Sequence, residues 1–319
     1  MKCWTLGKIE VHPLADESLG VRSMALGVTT PDVTLLFDAG VSLAPKRFGL
    51  PPHPMEFEAA RRARERITEF AKRSDIVTIS HYHLDHYTPS FTSYYEWSSR
   101  EAFEATYSGR LVLVKKPDST VSFNQRRRAR ALIRELEELS ARVIEAEGLR
   151  LVYGRTFVEA VGPFPHGAEG PMGRVLAFLV EHASVRILFA PDVQGPMDAS
   201  AAERISALRP TLIVVGGPPL YLEEHKVDRG LVEKGLDNMA LLSQRSELVV
   251  SHHTLRDENW RERVAAKGVR RLATYASLLG LEEQLLEARR RILYKEHPPS
   301  PSFLQWLRAP KERRGPPPL

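Results

Sequence analysis

The sequence predicts an α/β chain folded as an αββα four-layer sandwich: two mixed β-sheets packed face to face, with helices on both outer sides. Short β-rich apolar runs come first in pairs and are then interspersed with helical stretches, in each half of the chain. Each half therefore supplies a mixed sheet with helices outside, and two such sheets bury their strands against one another. The bulk is sufficient, since 43% of 319 residues are hydrophobic and the charged fraction, 27%, is ordinary for a globular chain.

The elements follow in order. Val21–Val28 and Val33–Phe37 read as strands around the turn signal Thr29-Thr30-Pro31-Asp32, and Asp38-Ala39-Gly40 ends the second. A Pro-rich loop runs from Ala44 to Pro54. Between Met55 and Arg73, Phe57, Ala60, Ala63, Ile67 and Phe70 recur at three and four, the apolar face of a helix. Ile76–Ser80 is a short buried strand, and Leu111–Lys115 is another. Ser122 and Gln125 have capping-box spacing and open a helix with Leu132, Ile133, Leu136 and Leu139 inward. Strands are expected at Leu149–Tyr153, Thr156–Val161, Arg174–Glu181 and Val185–Phe189. Thr211–Val215 and Glu247–Ser251 flank a helix over Gly230–Arg245. Arg271–Tyr275 reads as a last strand before a terminal helix, Leu281–Arg291. The domain is expected to span residues 1–296, and the Pro-rich, basic stretch 297–319 to be loosely ordered.

Composition excludes several classes. No run of some 18 uncharged apolar residues exists to span a membrane. The first residues lack the apolar stretch of a signal peptide, and the single cysteine, Cys3, cannot form an internal disulfide; a cytoplasmic setting is the expectation. A thiolate zinc cage is excluded too, so a metal must be held by His and carboxylates. The formal charge of +5 is the small excess of 45 basic over 40 acidic residues, and it reads first as a mixed solvated surface. Nothing in the composition indicates an oligomer.

One motif dominates: Ser80-His81-Tyr82-His83-Leu84-Asp85-His86. Three imidazoles and a carboxylate fall within six residues, directly after a buried strand. Imidazole and carboxylate are the ligands of first-row metals when thiols are absent. The spacing puts His81 and His83 on one side and offers Asp85 and His86 to a second centre.

An HxHxDH run after a strand resembles the metallo-β-lactamase superfamily, and other marks of that superfamily follow in order. Asp38, in Leu-Leu-Phe-Asp-Ala-Gly, is similar to its first motif. His166, in Pro-Phe-Pro-His-Gly, is similar to the third histidine position, Asp192 to the bridging aspartate, and His252 to the final histidine. The whole chain is similar to an uncharacterised archaeal family within that superfamily. The resemblance implies two divalent ions, zinc first and iron or manganese next. His81, His83 and His166 would hold one, Asp85, His86 and His252 the other, and Asp192 would bridge them. A hydroxide between the ions would be the nucleophile, oriented by Asp85. Asp38 would fix the backbone or a ligand imidazole; of the adjacent His252 and His253 only one should ligate, His252 before His253, and the other would touch substrate or support a ligand. His12, His53, His182, His225 and His297 lack such context and read as surface or packing residues.

Departures from known branches narrow the activity. The commonest β-lactamases use a Cys ligand, and flavodiiron proteins have Glu where His83 stands. The RNA-processing branch with an inserted domain needs more than the 59 residues between Asp192 and His252. Ser251-His252-His253-Thr254-Leu255-Arg256 is similar to the last motif of tRNA 3′-processing endonucleases, though no long tRNA-binding arm is evident. The expected activity is hydrolysis of phosphodiesters, in a small molecule or nucleic acid. Carboxylic ester, thioester or lactone hydrolysis on the same centre is the second reading, and a nucleic-acid-binding protein with an idle centre the third. Two segments stay open. Arg126-Arg127-Arg128-Ala129-Arg130 reads first as a solvated face paired with Glu135, Glu137 and Glu138, and second as a phosphate-contact surface. Gly216-Gly217 reads equally as pocket lining and as a sharp turn.

Overall fold

The computed structural model describes residues 2–223, 226–310 and 314–319. The described residues form two seven-stranded sheets. The first takes β1 (Trp4–Leu6), β2 (Ile9–Ala15), β3 (Ala25–Thr29), β4 (Thr34–Phe37), β5 (Ile76–Ile79), β6 (Leu111–Val114) and β7 (Arg142–Glu145), side by side in chain order. The second takes β8 (Arg150–Tyr153), β9 (Thr156–Pro165), β10 (Arg174–His182), β11 (Val185–Ala190), β12 (Leu212–Gly216), β13 (Glu247–Ser251) and β14 (Leu272–Ala273), also in chain order. In each sheet the first four strands pair antiparallel and the last four, sharing one strand, pair parallel.

The parallel pairings need crossovers, and helices supply them. These are α1 (Pro54–Ala71), α2 (Arg100–Tyr107) and α3 (Phe123–Glu138) on the first sheet, and α4 (Ala199–Ala207), α5 (Arg229–Ser243) and α6 (Trp260–Ala266) on the second. The short α7 (Tyr275–Leu278), α8 (Arg290–Glu296) and α9 (Pro301–Arg308) end the chain. Strand alternation sorts the core into layers. Leu35 and Phe37 face the other sheet and meet Phe178 and Phe189, whereas Leu36 faces Phe57, Ile67 and Phe70 of α1. Ile213 and Val215 likewise face α5, through Val232, Leu236 and Met239. The αββα architecture is thus the observed one.

Several elements differ from the expectation. Residues 281–289 are not helical, because tertiary partners take their polar groups. Gln284 N donates to Ser18 O, Glu287 pairs bidentate with Arg22, and Leu285 adopts φ 45°. The tail is not loosely ordered at 301–308: Phe303 of α9 is buried and its ring stands edge-on to Phe57. Ser122 caps α3 through Gln125 N, but the Gln125 side chain does not close a capping box. It accepts from Tyr82 N at 3.2 Å and donates to Met172 O at 2.9 Å. Strands β1, β2 and β7 escaped the pattern, β2 because Pro13 and two polar residues interrupt it.

Candidate metal centre

The donors gather where strands of one sense end. Asp38 follows β4, Ser80 and His81 follow β5, His166 follows β9, and Asp192 and His252 follow β11 and β13. A strand fixes the backbone up to its last residue, and the loop beyond lets side chains turn toward a common point. Asp38, Asp192 and His252 all adopt left-handed backbone, at φ 44°, 47° and 64°. Such conformations cost about 1–3 kcal/mol each and persist where surrounding packing holds them. Missing side chains make room: a Cβ on Gly40 would lie 2.3 Å from Asp85 C and His86 N, and one on Gly216 2.7 Å from Asp192 N. Gly216 therefore serves close backbone approach, whereas Gly217 makes room for the Thr254 side chain.

Asp192 is the hub. Its Oδ2 lies 3.0 Å from His166 Nε2, 3.2 Å from His81 Nε2 and 3.3 Å from His86 Nε2. Its Oδ1 lies 3.4 Å from His252 Nε2 and 3.5 Å from His253 Nε2. Donor atoms of His81, His83, His166 and Asp192 all fall within 4.8 Å of one another, as do those of Asp85, His86 and His252. The structure therefore brings every expected site residue together, and two further groups, Asp38–His81–His86 and Asp192–His252–His253, overlap these.

Three of the imidazoles are anchored from behind. His86 Nδ1 donates to Asp38 Oδ2 at 2.7 Å, and Asp38 in turn accepts from Ser80 N and Ser80 Oγ. His81 Nδ1 meets Ser80 Oγ at 3.0 Å. His252 Nδ1 lies 3.2 Å from Glu17 Oε1, a carboxylate that also takes Arg256 Nε at 2.7 Å. Such partners fix the tautomer and leave the other nitrogen's lone pair facing inward. Glu17, Arg256 and Tyr221 were not singled out from the sequence. Glu17 carried a faint signal, an acid pair with Asp16 beside apolar residues, and both acids are buried.

The electrostatics suit bound cations. Burial, with His86 next, holds His81 well below the usual imidazole range, and burial with His166 lowers His83 to about 3. Both rings are therefore neutral and able to ligate at neutral pH. Burial opposes the charge on Asp192, yet His252, His166 and His86 keep its carboxyl well below the usual range. Burial likewise opposes charge on Asp85, and His86, His252 and Arg256 hold it low. Three buried donor atoms have no hydrogen-bond partner: His86 Nε2, His166 Nε2 and Asp192 Oδ1. Buried polar atoms without partners are costly, and these three point into the donor groups, so the residues fit divalent ions. Among the described residues Cys3, Glu10 and His12 also cluster, with Cys3 and Glu10 exposed at the surface.

The two adjacent histidines differ in wiring. His252 presents Nδ1 to the Glu17 carboxylate and Nε2 toward Asp192 Oδ1, with Arg256 Nη2 3.1 Å from both its nitrogens. His253 Nδ1 instead meets two donors, Arg256 Nη1 at 3.2 Å and Tyr221 OH at 3.3 Å. As an acceptor at Nδ1 it carries its proton on Nε2, where it cannot ligate. His252→Ala is therefore expected to lower metal content by about one ion per chain, and His253→Ala to leave it unchanged. Equal loss from both variants would contradict this assignment. His53, by contrast, caps α1 and bonds His297 O away from the site, and His225 lies outside the described residues.

No family model matches the chain. A solved structure described as a possible metal-dependent hydrolase from Veillonella parvula is similar over 86% of this chain and 96% of its own, at 12% identity and a TM-score of 0.50. At that identity the likeness concerns the fold alone, the two-sheet αββα sandwich already described. Among curated proteins, a UPF0282 protein of Pyrobaculum neutrophilum is 46% identical over 300 residues, covering 91% of this chain and 96% of the relative. Another from Methanopyrus kandleri is 43% identical over 286 residues, covering 88% and 98%. With the sandwich, the ordered ligand motifs and near full-length identity of this size, the chain belongs to the UPF0282 family.

Proposed function

We propose that this protein is a metal-dependent hydrolase that cleaves phosphodiesters at a dinuclear centre. The observation that carries the reading is Asp192, one buried carboxylate whose Oδ2 meets His166, His81 and His86 and whose Oδ1 meets His252. His81, His83 and His166 would hold one ion, Asp85, His86 and His252 the other, and Asp192 both. The N/O donor set suits zinc first, and also iron or manganese. When bound, two such ions supply a water ionised near neutral pH and positive charge opposite developing anionic oxygens. The chain's own groups do the positioning. Asp38 orients His86, and Glu17 orients His252. Asp85 can accept a hydrogen bond from the attacking water, which aims its lone pair at the substrate. Arg256 is buried 3.5 Å from Asp85 Oδ2, a fixed cation beside the place where an anionic group would bind.

Metal content and turnover test this together. Elemental analysis after reconstitution should approach two ions per chain, and the loaded protein should hydrolyse bis-p-nitrophenyl phosphate. A persistent value near one ion would remove the second site. Turnover of a thioester or lactone with none of the phosphodiester would move the substrate class.

A further inference from the structure

The outer face of α3 is not the ion-paired surface that its sequence suggests. Arg127, Arg130 and Arg134 are exposed and Arg126 is half-buried. None of the four side chains has a hydrogen bond or ion pair among the described residues, and only Arg134 has acids, Glu137 and Glu138, three and four residues away. Elsewhere arginines on helices do pair, as Arg61 does with Glu58 and Glu65 and Arg100 with Glu104. Arg126, Arg130 and Arg134 recur every fourth residue, so they form a stripe with steps of about 6 Å along the axis. Phe123 stands at the head of the stripe, 72% exposed. It and the four arginines line a groove of about 370 Å³. A second groove, of about 360 Å³, continues from Phe123 and Arg126 along Gly170 and Gly173, in the loop that follows His166.

α3 is also fixed to the metal-binding loop. Gln125, buried, joins Tyr82 N to Met172 O, and Arg128 Nη1 donates to Tyr82 O at 3.3 Å. Tyr82 separates His81 from His83, so the basic groove is tied by one side chain to both walls of the centre.

We infer that the α3 face binds a single-stranded nucleic acid, with its phosphates on Arg126, Arg127, Arg130 and Arg134 and a base stacked on Phe123. Unpaired guanidiniums in a row track a phosphate backbone, and an exposed ring at the end of the row offers a stacking platform that tolerates any base. A duplex would have its bases enclosed and no use for Phe123. The inference rests on the phosphodiester reading for the bond that is cut, and on α3 alone for binding.

The test is fluorescence anisotropy of a labelled poly(U) oligonucleotide with the full chain in EDTA, across a salt series. Binding that weakens linearly in log–log salt is expected. Arg127→Ala/Arg130→Ala/Arg134→Ala should reduce the magnitude of that slope by about 2, since each single-strand phosphate contact contributes about 0.7. The corresponding triple Arg→Lys variant should restore it, which separates charge from folding. Phe123→Ala should weaken binding roughly tenfold with the slope unchanged. No binding by the wild type, or a slope indifferent to the triple alanine variant, overturns the inference. So does equal binding of a duplex together with indifference to Phe123→Ala, which would mark a general polyanion surface. Hydrolysis of bis-p-nitrophenyl phosphate by the metal-loaded wild type is read separately, so the failure of either reading leaves the other standing.

Discussion

Replacing Asp192 is expected to empty the centre. Its Oδ2 meets His166, His81 and His86 and its Oδ1 meets His252, so a change at this one residue reaches donors of both proposed metal sites. Asp192→Asn keeps the size and one acceptor oxygen but loses the charge that His252, His166 and His86 hold in place against burial. Losing a partner behind a ligand typically costs about 10–100-fold in metal affinity, and losing the shared carboxylate should cost more at each site. Metal content should fall from near two ions to one or fewer, and turnover should vanish with it. Differential scanning of the metal-free proteins gives the control: if Asp192→Asn matches the wild type without metal yet gains nothing on metal addition, the loss is in binding. Retention of two ions would mean that Asp192 bridges nothing.

Asp85→Asn should act differently, on chemistry more than on binding. Asp85 sits at the rim of the second donor group, 3.5 Å from both His252 Nε2 and Arg256 Nη2. A carboxylate there can ligate through one oxygen and accept a proton-bearing neighbour with the other; an amide offers one oxygen and an NH₂ that donates. The variant should keep its fold and at least one ion, while turnover per bound metal falls roughly a hundredfold or more, the size of a lost general-base contribution. His81→Ala, by contrast, should lose activity in step with metal. Near wild-type turnover per bound ion in Asp85→Asn would assign the orientation of the nucleophile to another group, and Asp192 is the nearest candidate.

What could be read in sequence was what depends on neighbours along the chain. The strand before His81 is a continuous apolar run because it is buried on both faces, so its end, and the ligand run beyond it, stand out. Helix α1 shows the same transparency, since Phe57, Ile67 and Phe70 face one sheet at helical period. Helix α3 shows where that logic stops: its start and inward residues follow from the pattern, but the fate of its arginines does not. Only Arg134 has acids three and four residues on, Glu137 and Glu138, and it pairs with neither; Arg126, Arg127 and Arg130 have none at that spacing.

The sequence by itself therefore determined the αββα class, and it marked the HxHxDH run and, through resemblance, positions 38, 166, 192 and 252 as the candidates that the structure brings together. The tertiary structure decided which donors share an oxygen of Asp192, and that His252 and His253 are wired oppositely. Those choices depend on Glu17, Arg256 and Tyr221, which lie up to 239 positions apart along the chain. The terminal region went the same way. Residues 281–289 have helical periodicity, but Arg22 and Ser18 claim Glu287 and the Gln284 backbone, and a pairing 265 positions long outweighs a local preference worth at most tenths of a kcal/mol per residue. Local pattern fixes what each segment can bury; only the closed sandwich fixes which buried charges meet, because that depends on the strand order at one sheet edge.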